Sequence, residues 1–256
     1  IWFGHRIPVW YHEPKCIPKP GREADVGKCI NMVISSKRPV CEFCDAIYEQ
    51  DPDTLDTWFS SALWTFSTLG WPKKTKDLVD YHPTDVLETA YEILFLWVAR
   101  MILMSTYLLG EIPFRTVYLH GLVRDEQGRK ISKSLGNSID PVDMINLYGA
   151  DAVRMSLIIG AAPGSDSKTS EDKIRAYRNF TTKIWNASRF VLMNYDDTLK
   201  IKPKYTAADK RNLKKLEETK SRVTRYIEEY KFHQAGELIY QYFWHTFADK
   251  IIEESK

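Results

Sequence analysis

The chain has no collagen-like period, no low-complexity tract and no repeat of solenoid spacing. Its 12 glycines and 12 prolines are scattered through 256 residues, which excludes collagenous and repeat architectures. It opens on Ile1-Trp2-Phe3-Gly4-His5-Arg6, with neither a start methionine nor a secretory leader, and so reads as a piece of something larger. Cysteine is scarce, at four residues. Without a leader, that number favours a reduced cytoplasmic protein over a disulfide scaffold. No uncharged apolar run reaches spanning length. Residues 93–110 come near it but carry Arg100 close to their middle, a cost of about 2.5–3.5 kcal/mol in a lone span. A buried core helix and no membrane partner are expected there. Charge of one sign is not in excess either: 36 Lys+Arg face 34 Asp+Glu, a net +2.

What is present excludes disorder. A hydrophobic share of 44%, including 13% aromatic, can build one large core or two ordinary ones. Charge becomes informative when the chain is divided: residues 168–256 hold 19 basic and 13 acidic side chains and the remainder is net negative. A basic back half suits a polyanionic partner, and a solvated helix face gives the same count.

The pattern changes along the chain. Residues 1–50 are broken by Pro14, Pro18, Pro20, Gly21, Gly27 and Pro39 and read as irregular. Residues 51–164 read as mixed α/β. Val117-Tyr118-Leu119-His120-Gly121-Leu122-Val123 has the apolar run of a buried strand, and Asp125-Glu126-Gln127-Gly128 supplies a turn after it. Asp140 before Pro141 predicts a helix start, and Gly149 its stop. Past Gly164 a capping signature, Thr169-Ser170-Glu171-Asp172, opens three amphipathic helices with nothing strand-like between them. A boundary near 162–164 is expected.

Lys130-Ile131-Ser132-Lys133-Ser134 follows the strand and turn. Two ammonium groups, two hydroxyls and exposed backbone N–H groups on a short loop suit a polyphosphate, although a surface loop of this composition is common. The string runs into Leu135-Gly136-Asn137 and on to Tyr148-Gly149-Ala150-Asp151-Ala152-Val153-Arg154. In that setting it resembles the KMSKS signature of class I aminoacyl-tRNA synthetases, with Ile131 in place of the usual Met. His120-Gly121-Leu122-Val123 resembles the strand that cradles adenine in that class, and Gly121 would let a base approach the backbone closely. Residues 53–64, 67–72, 84–87 and 94–101, with the opening Gly4-His5-Arg6-Ile7-Pro8-Val9-Trp10-Tyr11, resemble the valyl-tRNA synthetases in particular.

The resemblance implies an α/β fold: the second half of a class I Rossmann-type catalytic domain, then an all-α bundle. Residues 1–50 would be the segment returning from the editing insertion. Residues 51–164 would be the C-terminal half of the nucleotide-binding domain, and 165–256 the start of an anticodon-binding domain. It implies activation of valine by ATP with Mg²⁺, then transfer to tRNA(Val). Lys130, Lys133, Ser132 and Ser134 would serve the phosphates, His120, Gly121, Leu122 and Val123 the adenine, and Glu92 the ribose. Trp58, Ile93 and Trp97 would wall the valine side chain. Such walls exclude larger side chains but reject an isosteric hydroxyl poorly, so the family relies on a hydrolytic site not found in these residues. Nor is the HIGH signature of the fold's first half, so the chain alone is expected to be inactive. Ile93 and Trp97, four apart, would equally suit a core helix. Where the class usually has a glycine two residues before its acid, Ala90 stands two before Glu92, and Thr89-Ala90-Tyr91-Glu92 can also be read as a capping box.

Cys41-Glu42-Phe43-Cys44 has the spacing of a metal knuckle, with Cys16, Cys29 or His12 upstream as partners. Zinc would hold a segment with little core of its own, and four free cysteines is the alternative. Two other readings of the whole remain: a non-catalytic tRNA-binding module, and a related branched-chain synthetase.

Overall fold

The computed structural model describes residues 4–12, 17–23, 29–44, 47–195 and 204–255, apart from the Lys133 side chain. The chain divides into two compact units, Ile1–Asp85 with Ile93–Arg115, and Val86–Glu92 with Thr116–Lys256.

The first unit opens on three short strands, β1 (Val9–Tyr11), β2 (Met32–Ile34) and β3 (Glu49–Gln50). They form an antiparallel sheet in the order β2-β1-β3, with Val9 opposite Ile34 and Tyr11 opposite both Met32 and Glu49. The sequence reading expected irregular chain here. Strands of two or three residues are too short to show the alternation that reveals a strand. Helix α1 (Thr57–Ala62) starts where the Asp56 carboxylate accepts from the Trp58 N–H at 2.8 Å. Helices α2 (Trp64–Ser67) and α3 (Lys76–Tyr81) follow, the latter capped by the Thr75 hydroxyl.

Strand β4 (Thr84–Ala90) leads into a 3₁₀ turn (Tyr91–Ile93), a π-helical turn (Leu94–Val98) and α4 (Ala99–Leu109), which stops at Gly110 in the left-handed region, φ 74°. Two expectations are corrected here. Thr89 is a buried strand residue, and the π-helical turn begins without a side-chain cap, so the capping-box reading of Thr89–Glu92 fails. The run from Tyr91 to Leu109 is apolar and long enough by composition to cross a membrane, but it is not the buried core helix expected. Val98, Met101 and Ser105 are buried along one stripe, while Phe95, Leu103 and Tyr107 are largely exposed. Within its unit, short α1 and α2 pack against it and cover one face.

Strand β5 (Phe114–His120) pairs with β4. It begins three residues before the predicted run, and only Phe114 in it is buried. In the second unit, β6 (Val123–Arg124) precedes α5 (Pro141–Tyr148) and α6 (Ala150–Ile158). Asp140 caps α5, accepting from the Val142 N–H at 2.8 Å, with Pro141 in its first position and Gly149 at its end, as predicted. A further strand, β7 (Ser167–Lys168), lies parallel to β6 and pairs Val123 with Ser167. This strand precedes the three helices, so the segment 165–256, expected to be all-α, opens on a two-residue strand, and the contacts place 116–256 in one unit.

Helix α7 (Glu171–Met193) is capped by Ser170, one residue past the Thr169 that the signature suggested. Then come α8 (Ala207–Glu228), opened by a capping box of Thr206 and Asp209, α9 (Phe232–Gln241), a π-helical stretch (Tyr242–Ile251) and α10 (Ile252–Glu254). Fully buried Phe180 of α7 packs against Tyr240 and Trp244, with ring centroids 4.6 and 6.0 Å away. Lys183 lies 4.2 Å above the Trp244 ring, a cation–π contact at the rim of this cluster.

Candidate functional site

The second unit gathers most of the predicted nucleotide-binding residues. At the end of β5 the His120 imidazole faces Glu88 of β4 at 3.2 Å, and its other nitrogen lies 2.8 Å from the Gly121 carbonyl oxygen. His120, Gly121 and Val123 line a cavity of about 360 Å³ with Glu88, Tyr118 and Phe232. Leu122 is tied elsewhere: its N–H donates to Asp166 at 2.9 Å, and its carbonyl accepts from Ser167 at 2.9 Å. Asp166 also takes the Arg124 guanidinium, and the Leu122 N–H and this cation hold its carboxyl below the ordinary range.

Gly121 has a packing reason to be glycine. A Cβ there would stand 1.9 Å from the Ser165 carbonyl oxygen, so the residue admits the 165–166 backbone. This is a reason besides the one in the sequence analysis, where a missing side chain at Gly121 would let a base approach the backbone.

Beyond β6 the chain turns tightly, with the Gly128 N–H bonded to the Asp125 carbonyl at 2.9 Å and Gly128 at φ 81°. The Lys/Ser loop follows. Lys130 reaches back to Glu92, its Nζ 3.2 and 3.3 Å from the two carboxylate oxygens. The first lysine of the loop and the acid expected to bind ribose are thus partners, both well exposed. Ser132 and Ser134 share a hydrogen bond at 2.7 Å across a short 3₁₀ turn (Lys133–Leu135). The Lys133 side chain lies outside the described residues.

Sequence reasoning missed the groups that hold this loop. The Asn137 side-chain oxygen accepts from the Ser132 N–H at 2.9 Å, and its amide nitrogen donates to Lys130 O at 3.2 Å and Asp125 Oδ2 at 2.9 Å. Asp125, nearly buried, also accepts from the Arg129 N–H and guanidinium at 2.7 and 2.8 Å. The Asn137 hydrogen bond, followed by the Arg129 backbone and side chain, outweighs desolvation and takes the Asp125 pKa down to about 2. The available signal was turn chemistry: an Asp three residues before Gly128, and an Asn directly after Gly136.

The predicted valine-pocket residues belong to the first unit, where Trp58, Ile93 and Trp97 are all partly buried. Trp97 lies in the π-helical turn and donates its Nε1–H to Ser61 O of α1 at 2.9 Å, one helical turn beyond Trp58. It also packs on Trp64, with centroids 5.8 Å apart. π-helical turns are uncommon and recur at functional sites.

In the same unit the knuckle closes on its upstream partners. One ligand atom each from His12, Cys29, Cys41 and Cys44 lies within 4.8 Å of every other, and all but Cys29 are buried. Cys16, the other upstream candidate, lies outside the described residues. The Cys41 and Cys29 sulfurs are 3.6 Å apart, close to the roughly 3.8 Å edge of a tetrahedron with 2.3 Å zinc–sulfur bonds. Cys41 and Cys44 are free thiols. Cys29 is disulfide-bonded, so it can ligate a metal only when reduced. Burial works against the Cys41 thiolate, but hydrogen bonds from the Phe43 backbone and from Cys44, with the Lys19 charge, outweigh it and lower the pKa. Three sulfurs and an imidazole are a donor set that fits zinc.

The family model of class I tRNA synthetases (I, L, M and V) matches residues 1–170, and that of the anticodon-binding domain of tRNA ligases matches 209–256. The valine–tRNA ligase of Clostridium acetobutylicum is 48% identical over 259 residues, covering 99% of this chain and 28% of that protein. That of Pseudothermotoga lettingae is 49% identical over 258 residues, covering 100% and 28%. The chain thus spans under a third of the length of these curated relatives. Among solved structures, a LeuRS–tRNA–LeuAMS ternary complex from Agrobacterium radiobacter aligns over 94% of this chain and 35% of that one, with TM-score 0.71 and 21% identity. Mycobacterium tuberculosis methionyl-tRNA synthetase with methionyl-adenylate aligns over 86% and 44%, with TM-score 0.60 and 22% identity.

Proposed function

The chain belongs to the class I tRNA synthetases, and on that premise we propose that it is part of a valine–tRNA ligase. That ligase activates valine with ATP and passes the valyl group to tRNA(Val). Similarity to valine–tRNA ligases at about half identity along essentially the whole chain carries this reading.

In the proposed reaction the valine carboxylate attacks the α-phosphorus of ATP and pyrophosphate leaves. Negative charge builds on the departing phosphates, where Mg²⁺ accompanies the nucleotide and Lys130 and Lys133 supply fixed positive charge. Ser132 and Ser134 donate hydroxyls on the same loop. Adenine lies against His120, Gly121, Leu122 and Val123, and Glu92 accepts from the ribose hydroxyls. That role requires Lys130 to leave Glu92, which frees its ammonium for the phosphates. Trp58, Ile93 and Trp97 wall the aliphatic side chain. The terminal ribose hydroxyl of the tRNA then attacks the adenylate carbonyl, and AMP leaves.

Residues 51–164 supply the second half of the nucleotide-binding domain in this reading, and the basic residues 165–256 meet the RNA backbone. His12, Cys29, Cys41 and Cys44 would hold a zinc ion that cross-links residues 1–50. An enzyme of translation works in the cytoplasm, where the Cys29 disulfide would be reduced and its thiolate freed for the metal.

The test is valine-dependent ATP–pyrophosphate exchange by the full-length protein that contains this chain. Exchange with valine, and at least tenfold less with isoleucine at equal concentration, is expected. Exchange driven better by isoleucine would reassign the enzyme to a neighbouring specificity, and none with any amino acid would leave a non-catalytic RNA-binding protein.

A further inference from the structure

We infer that Asn137 is a positioning residue for adenylate formation: its amide clasps the two ends of the Lys/Ser loop and fastens them to Asp125, setting where the loop's charges stand. The inference rests on the reading of that loop as the phosphate-binding element.

The bonding pattern needs an amide. The Asn137 oxygen accepts from Ser132 N–H, and its nitrogen donates to both Lys130 O and Asp125 Oδ2. Only a group with an acceptor and two donors on one carbon makes this set. Those bonds close residues 130–137 into a ring. The 3₁₀ turn hangs from the clamped point, because the Leu135 N–H donates to Ser132 O at 3.1 Å. Asp125 is a fixed anchor, nearly buried and held by the Arg129 N–H and guanidinium. Lys130, whose carbonyl is held by the clasp, is the residue whose ammonium meets Glu92.

A loop ordered before the reaction loses little freedom when charge develops against it, and a displaced one forfeits the alignment. Asn137 therefore touches no substrate and acts through the placement of Lys130, Ser132 and the following turn. Asp in its place has the same size and shape. It offers no donor when ionised and sets a second negative charge beside Asp125.

The experiment uses the full-length protein and its Asn137→Asp and Asn137→Ala variants, with single-turnover valyl-adenylate formation normalised to titrated active sites. Both variants are expected to fall about a hundredfold in rate, with KM for valine within twofold of the parent and an unchanged thermal midpoint. Tryptic cleavage after Lys130 and Lys133 should quicken at least tenfold. Asp125→Ala should lose a similar factor, and the double variant Asp125→Ala/Asn137→Ala little more than either, as one clamp requires. If Asn137→Asp keeps its rate within twofold, or the loss lies wholly in KM for valine or in the number of active sites, the assignment is overturned. Should Asn137→Ala fail to fold, the isosteric Asn137→Asp decides alone. A parent protein without valine-dependent activity rejects the functional reading itself, a result distinct from an active parent whose variants are unimpaired.

Discussion

Gly121 shows how a residue can have a second reason to be glycine beside the one its sequence setting suggests. Its place after a strand marked it as a close-approach position, and the chain's own backbone at Ser165 makes one such approach. Nothing in the local sequence names a partner 44 residues away. Gly121→Ala forces the 165–167 segment off β6, and overpacking against backbone costs about 1–3 kcal/mol. The urea midpoint of the variant should fall accordingly, and an unshifted midpoint would show that the segment yields freely. The same distinction separates the other residues. Asp140, Pro141 and Gly149 were legible, and the cap of α7 was legible to within one residue, because a cap and its helix are neighbours in sequence. Asp166 was not, because it acts on groups 42 and 44 residues away, and Asn137 was not, because its bonds to residues 5, 7 and 12 positions back belong to no helix cap.

At the scale of elements, legibility followed length. Helices α7 and α8, of 23 and 22 residues, carry several turns of periodic apolar positions and were visible as helices. Strands β1 to β3 and β6 and β7 have two or three residues each and were invisible. Composition misled over α4: an apolar helix can bury one stripe only, because burial depends on what packs against it. The three-stranded sheet poses the matching question of what holds it. Its buried cluster is small, with Cys41, Cys44 and Tyr48 at the centre, and a metal would supply the missing cohesion. Protein purified under reducing conditions without added zinc should hold close to one zinc per chain. Cys41→Ser should lose most of it and lose amide protection in β1 and β2. Metal-free protein with undiminished protection there would mean that the sheet stands on its own hydrogen bonds and the thiols are structural bystanders.

At the scale of the whole molecule, the two units divide the proposed labour. The predicted valine walls sit in one, and the nucleotide strand, the Lys/Ser loop and the basic helices in the other. Residues 86–92 belong to the second unit although the chain on both sides of them belongs to the first, so Glu92 and Ile93 are consecutive residues assigned to different units. In the proposed reading the site needs phosphate contacts from both halves of its fold, and these residues would supply only those of the Lys/Ser loop. Lost orientation is costly, since placing reactants is worth about 7–11 kcal/mol in well-arranged systems, far more than Lys130 and its neighbours can replace. The 256-residue chain alone should therefore show no valine-dependent pyrophosphate exchange above background, at enzyme concentrations where the full-length protein is readily measured. Clear turnover by the isolated chain would mean that the Lys/Ser loop and its neighbours suffice for the chemistry, and the division of the site between two halves would have to be abandoned.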